Sequence, residues 1–159
     1  MRSHPSMTAI TFPSPRLCAG TVDFYRPVYS LLGLPVDAVT LHAAQERIYT
    51  AAVTRRPCFL STPNLNFAIA SLSDREFRDS VIHSDLSIAD GMPLVWVARL
   101  FGIPIRERVT GSGLFGRLRQ QPGRVLSLYF FGGPDGAAEK AAERINAEPS
   151  GLQCVGSCS

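Results

Sequence analysis

Asp85-Leu86-Ser87-Ile88-Ala89-Asp90-Gly91-Met92-Pro93-Leu94-Val95-Trp96 is the stretch whose reading decides the fold of this chain. A short apolar-leaning run ends on an acidic residue and a glycine, and a mostly apolar segment of helical length follows. This pattern predicts a buried parallel strand that carries a carboxylate to its own C-terminal tip, with the chain turning at Gly91 into a helix. In open α/β sheets the ligand crevice lies outside the carboxyl ends of the strands, which makes Asp90 the first candidate for chemistry. The plainer alternative is a helix cap, since Asp is a favoured N-cap and the next helix begins near Met92.

The same alternation extends outward in both directions. Upstream, Thr40 caps a helix with Leu41, Ala44, Ile48 and Ala51 at helical spacing, and Pro57 ends it. Cys58 to Thr62 is a compact strand broken by Pro63, and Asn64 to Leu72 reads as a short helix. Ser73-Asp74-Arg75-Glu76 is a capping box opening another helix, with Phe77, Val81 and Ile82 facing inward. His83 falls in the last turn of that helix and is assigned no chemistry. Thr21 to Leu34 holds one or two short strands or a hairpin. Residues 1–20 read as an irregular leader without the continuous apolar centre of a signal peptide.

Downstream, Met92 to Phe101 is apolar on nearly all sides, so it is predicted to be buried in the domain or against a partner. Ile103 to Thr110 is a loop or short hairpin carrying Arg106 and Arg108, Ser112 to Gln120 a short helix, and Pro122-Gly123 a turn. Val125 to Phe131 is a strand, Ala137 to Ala147 a helix, and Leu152 to Val155 begins one more strand. Strands alternating with helices predict an α/β fold, a Rossmann-like, mostly parallel sheet with helices on both faces, in one domain over residues 21–159. A chain stopping just after an interior strand reads as truncated.

Composition narrows the function. Of 159 residues, 45% are hydrophobic and 18% charged, which is globular, and a net charge of +3 is too small to argue for nucleic acid. Fifteen of the 16 basic residues are arginine. Arg99, Arg106, Arg108, Arg117, Arg119 and Arg124 share a span with a single acid, Glu107. Arginine's planar fork suits phosphate and carboxylate, although a solvated basic face explains most of the six equally well. Cys18, Cys58, Cys154 and Cys158 have no paired spacing, so neither zinc nor a disulfide framework is indicated, and a reducing, cytosolic setting fits. There is no Asp-x-Asp pair and no His/carboxylate cluster with ligand spacing, so no metal or cofactor is expected.

Three predicted strand ends line up in sequence order: Thr62-Pro63-Asn64, Asp90-Gly91 and Gly132-Gly133. Each follows a predicted parallel strand, so all three are expected to open onto one edge of the sheet. Pro63 suits the first turn of a helix and leaves backbone N–H groups free nearby. Gly132-Gly133 serves equally as a phosphate contact or as plain turn geometry.

Ser61-Thr62-Pro63-Asn64, Asp90-Gly91-Met92-Pro93, Glu107-Arg108-Val109-Thr110-Gly111-Ser112 and Phe131-Gly132-Gly133, in that order, resemble the bacterial WecG/TagA/CpsF glycosyltransferase family. The resemblance covers roughly Phe24 to Gly156. It implies an inverting, metal-independent enzyme that moves an N-acetylmannosamine-type sugar, or a related hexose, from a UDP donor. The implied acceptor is an undecaprenyl-diphosphate-linked N-acetylglucosamine, in the assembly of cell-surface polysaccharide or teichoic acid. By resemblance Asp90 is the general base, Thr62 and Asn64 line the substrate pocket, and Arg108 belongs to the same site. The N–H groups after Gly91 and Gly133, with Gly132, are expected to help hold the diphosphate. Asn66 stands where many relatives carry an acid. The family's C-terminal third, with further substrate contacts and a membrane-associating basic tail, falls beyond the sequence. The implied location is cytoplasmic, peripheral at the inner face of the membrane, with self-association left open. Two alternatives stand beside this reading: an inactive remnant that binds UDP-sugar or pairs with full-length relatives, and an unrelated nucleotide-binding α/β module.

Overall fold

A computed structural model describes residues 26–121 and 123–159. The leader over residues 1–20 and Cys18 lie outside the described residues. The architecture is mixed α/β. It begins with an antiparallel hairpin, β1 (Val28–Leu31) and β2 (Leu34–Asp37). Helix α1 (Leu41–Thr54) follows, then strand β3 (Leu60–Ser61) and helices α2 (Leu65–Ser73) and α3 (Arg75–Ile82). Next come β4 (Leu86–Ser87), α4 (Met92–Leu100), α5 (Gly111–Gln120), β5 (Leu126–Phe131), α6 (Ala137–Asn146) and β6 (Leu152–Cys158).

Among the described residues the strands form three pairs rather than one continuous sheet: β1–β2 antiparallel, β3–β4 parallel and β5–β6 parallel. That departs from the expected single sheet. Part of the reason is visible at Pro63. The pairing of 59–63 with 85–90 continues past β4, because Ile88 N donates to Ser61 O at 3.0 Å and Asp90 N to Pro63 O at 2.9 Å. Pro63 has no N–H to return a bond, so the ladder becomes one-sided there. The predicted strand to Asp90 is therefore present as an extended run whose regular pairing is short. The two parallel pairs share one core: Leu86 and Ile88 pack in the same cluster as Leu152 and Cys154, with Leu60, Leu126 and Leu128 against it.

Local signals place most helices. Thr40 accepts from Ala43 N and starts α1; Arg55, left-handed at φ 53°, ends it. Asn64 accepts from Phe67 N at 3.0 Å and starts α2. The capping box shifts by one residue: Ser73 closes α2, and Asp74 caps α3 by accepting from Phe77 N. Phe67 and Phe77 meet edge-to-face with centroids 5.0 Å apart, above Leu34 of the hairpin. Ile82, expected inside, is exposed, and Cys58 is half-buried just ahead of β3.

The hairpin turns at Leu32-Gly33, with φ 52° and 80°, so its second strand continues past Leu34, where the expected segment ended. Two successive positive φ values match the twist that two-residue hairpin turns need. Helix α4 buries Leu94, Val95 and Ala98 on Leu31, Val36 and Ile105, but leaves Trp96, Leu100 and the following Phe101 exposed. Among the described residues, then, the domain covers one side of this helix only, and burial within the domain on nearly all sides is not seen.

Candidate active site

The site is built where three helices begin. β3 ends into Thr62-Pro63-Asn64 and α2; the run through β4 ends into Asp90-Gly91 and α4; and Thr110 caps α5 by accepting from Gly113 N at 2.9 Å. These starts are tied together. Asp90 N donates to Pro63 O, and Val109 N donates to Ala89 O at 3.0 Å, which seats the 106–110 loop beside the strand end. The Asp90 Oδ2 accepts from Gly111 N at 3.1 Å. A methyl group at Gly111 would lie 3.3 Å from Thr62 Cγ2 and 3.9 Å from that carboxylate oxygen. One at Gly91 would lie 3.6 Å from Asn64 Cβ.

Thr62, Asn64, Asp90 and Gly91 are thus neighbours, all half-buried. Asp90 does not cap α4, whose N-cap Gly91 has no side-chain partner. Its carboxylate instead sits at the N-terminus of α5, where the exposed N–H groups and the helix dipole favour negative charge. Among the described residues Oδ1 has no hydrogen-bond partner, so one oxygen is anchored and the other is open. With Pro93 in its first turn, α4 leaves the Met92 and Leu94 N–H groups at the same place.

Arg108 is exposed, next in sequence to the Val109 that pairs with the strand end, and it forms no ion pair among the described residues. Glu107 is committed elsewhere: its Oε1 accepts from Leu41 N at 2.5 Å, closing the N-terminus of α1. Gly132 and Gly133, at φ 84° and 99°, turn the chain after β5, where Gly132 N donates to Cys158 O at 2.7 Å. No hydrogen bond among the described residues joins this turn to Asp90, Thr62 or Asn64. The structure brings two of the three expected strand ends together.

A polar layer beneath the site escaped the sequence reading. Asp37 is 1% exposed. Arg26 grips it with two bonds, Nε to Oδ1 at 2.6 Å and Nη2 to Oδ2 at 2.5 Å, and Arg47 stands 3.5 Å away. Ser87 N donates to Asp37 Oδ2 at 2.7 Å. The hydroxyls of Ser61, Ser84 and Ser87 bond one another at 2.7–2.9 Å. This layer locks the hairpin to the strand that carries Asp90. The signal was only an Asp ending an otherwise apolar strand.

Two open hollows, of about 690 and 460 Å³, lie elsewhere: one between Arg119, Val125 and Pro149, the other between Tyr49, Val53 and Arg124. Neither touches Asp90. Among the described residues no three His, Cys, Asp or Glu side chains are grouped to hold a metal ion, and no helix is long and apolar enough to cross a membrane.

Comparison with known proteins relates the chain to a family and to a curated relative. The model of the glycosyl transferase WecG/TagA/CpsF family matches residues 29–159. Over 99 residues the chain is 22% identical to the N-acetylglucosaminyldiphosphoundecaprenol N-acetyl-beta-D-mannosaminyltransferase of Bacillus spizizenii. That match covers 62% of this chain but only 38% of the relative's length.

Proposed function

We propose, for a chain that belongs to the WecG/TagA/CpsF family of glycosyl transferases, that the Asp90 cluster is the centre of an inverting sugar transfer. The proposed donor is a UDP-linked N-acetylmannosamine-type sugar. The proposed acceptor is an N-acetylglucosamine on undecaprenyl diphosphate, as the name of the Bacillus spizizenii relative describes for that protein. Such an acceptor calls for work at a membrane surface. In this reading β3–β4 and β5–β6 are parts of one Rossmann-like sheet, which their shared core and parallel crossovers support.

The observation that carries the reading is the anchored carboxylate at the meeting of three helix starts. In the proposed reaction the acceptor hydroxyl attacks the anomeric carbon. Asp90 Oδ1 takes its proton, and the bond from that carbon to the UDP oxygen breaks with its electron pair leaving on UDP. The departing diphosphate gathers charge that needs fixed donors. Arg108 and the N–H groups after Gly91 supply them, with the Gly132-Gly133 turn after β5 as a further proposed contact. Thr62 and Asn64 hold the sugar; the Asn64 Oδ1 is spent on its helix cap, which leaves its amide N–H₂ for substrate. The rival reading is that Asp90 is only an anchor for α5, and it draws on the same Gly111 bond.

Calorimetric titration of UDP, with and without EDTA, tests the site. Binding that survives EDTA and weakens about tenfold in Arg108→Ala is expected for a charge-assisted phosphate contact. Binding abolished by EDTA, or indifferent to Arg108, would contradict the reading.

A further inference from the structure

Helix α4 presents two different faces. Its buried side packs on the hairpin, and the opposite side carries Pro93, Trp96 and Leu100 at i, i+3 and i+7, one stripe of a helix. Trp96 is 60% exposed, Leu100 81% and Phe101 71%. Isolated apolar side chains on a surface are ordinary, but three large ones within two turns form a patch that calls for an occupant.

The rim of the patch identifies the occupant. Arg99 Nη2 donates to the Arg106 carbonyl at 3.0 Å, which folds the 103–108 loop against the end of the helix. Arg99, Arg106 and Arg108 are all exposed. The single acid among them, Glu107, is turned to the N-terminus of α1 and neutralises nothing here. A second copy meeting this face about a two-fold axis would bring the same arginines against each other. An anionic lipid surface has the opposite charge, takes tryptophan at headgroup level and accepts leucine and phenylalanine just below.

We propose that the C-terminal end of α4 and the loop after it dock onto an anionic phospholipid bilayer. Trp96, Leu100 and Phe101 enter the boundary between headgroups and acyl chains, while Arg99 and Arg106 pair with lipid phosphates. Because Gly91 caps the start of α4, Asp90 then lies about 14 Å along the helix axis from the docked end, at 1.5 Å of rise per residue. That geometry suits chemistry on a lipid-borne headgroup, and this last step alone rests on the proposed reaction.

Trp96 is the one tryptophan of the chain, so its fluorescence reports the contact directly. The probes are vesicles of mixed phosphatidylglycerol and phosphatidylcholine, and vesicles of phosphatidylcholine alone, with no polyprenyl lipid or UDP-sugar present. Co-sedimentation and a blue shift of Trp96 emission are expected with the anionic vesicles only, weakened as salt shortens the screening length. Leu100→Glu with Phe101→Glu, and separately Arg99→Gln with Arg106→Gln, should each lower partitioning about tenfold or more. Circular dichroism and UDP titration should stay unchanged in the Leu100/Phe101 variant, which separates lost docking from lost folding. No shift with anionic vesicles, equal binding to neutral ones, or a concentration-dependent blue shift without lipid would overturn the proposal. None of those results bears on sugar transfer.

Discussion

The Asp90 carboxylate holds the Gly111 backbone N–H at 3.1 Å, across 21 residues of sequence. One bond joins the end of a strand to the start of α5, and the second carboxylate oxygen has no hydrogen-bond partner among the described residues. An anchored base has a fixed direction, and direction is what proton abstraction from a bound hydroxyl requires.

Asp90→Asn and Asp90→Ala therefore separate two roles. Asparagine keeps an oxygen for Gly111 N but has no basic oxygen, so turnover should fall by ~10²–10⁴ while UDP affinity and stability stay near wild type. Alanine removes the anchor as well and should cost a further ~1 kcal/mol of stability, as loss of a helix cap does. Transfer assays and thermal melts on both variants are the check. Full turnover in Asp90→Asn would reduce Asp90 to an anchor.

Gly111→Ala probes the packing around the same bond. The new methyl would press on Thr62 Cγ2 at 3.3 Å, a contact that Thr62 must yield by a few tenths of an ångström. UDP-sugar affinity should drop a few-fold with little change in melting temperature, since alanine suits a helix start better than glycine does. Unchanged affinity would mean that Thr62 does not face the donor.

Much of this geometry was legible where a local signal decided it. Thr40 and Asn64 announced their helices as caps, Pro57 and Pro63 announced breaks, and the apolar run to Asp90 announced a strand end. The hairpin runs past the expected end at Leu34 because its turn uses Leu32 at positive φ, which the residue type does not advertise. The apolar pattern of α4 predicts cover for its outward half, but periodicity reports apolarity and not whether the domain or a partner supplies that cover. Asp37 was illegible for a different reason. Its partners, Arg26 and the Ser87 N–H, are 11 and 50 residues away and are gathered only by the fold.

That buried group carries its own expectation. Asp37→Ala leaves Arg26 only its bond to the Ser84 carbonyl and strands the Ser87 N–H, and removing one member of a buried ion pair costs ~3–5 kcal/mol. Asp37→Asn keeps an oxygen for Ser87 N and should cost less. Urea unfolding should rank the two in that order, and equal midpoints for wild type and Asp37→Ala would show the layer to be dispensable.

Cys58 and Cys158 should differ in reactivity. Burial pushes the Cys58 thiol above its ordinary pKa, and the nearby Asp85 charge adds to this against the opposing pull of Arg47 and Arg26. Cys158 is exposed. The thiolate is the reactive form, so alkylation at neutral pH should label Cys158 well before Cys58, and Cys58 labelling should gain more as pH rises. Peptide mapping by mass spectrometry reads both; faster labelling at Cys58 would contradict the assignment.

Two glycines near α5 should respond in opposite directions to the same substitution. Gly151 N donates to Arg119 O at 2.8 Å and Gly151 O accepts from Leu126 N at 2.9 Å, so it stitches the end of α5 to the start of β5. A methyl there would collide with the Leu118 carbonyl oxygen and lie 2.6 Å from that of Gln121. Both obstacles are backbone, which no rotamer change can relieve, so Gly151→Ala should cost about 3 kcal/mol. Gly116 lies inside α5 with open space where its Cβ would be. Gly116→Ala should therefore add ~0.5–1 kcal/mol through helix propensity. Chemical denaturation of both variants decides it. If the two shift alike, the close approach at Gly151 is not what holds the C-terminal end of α5, and the helix that carries Gly111 must be positioned from its other end.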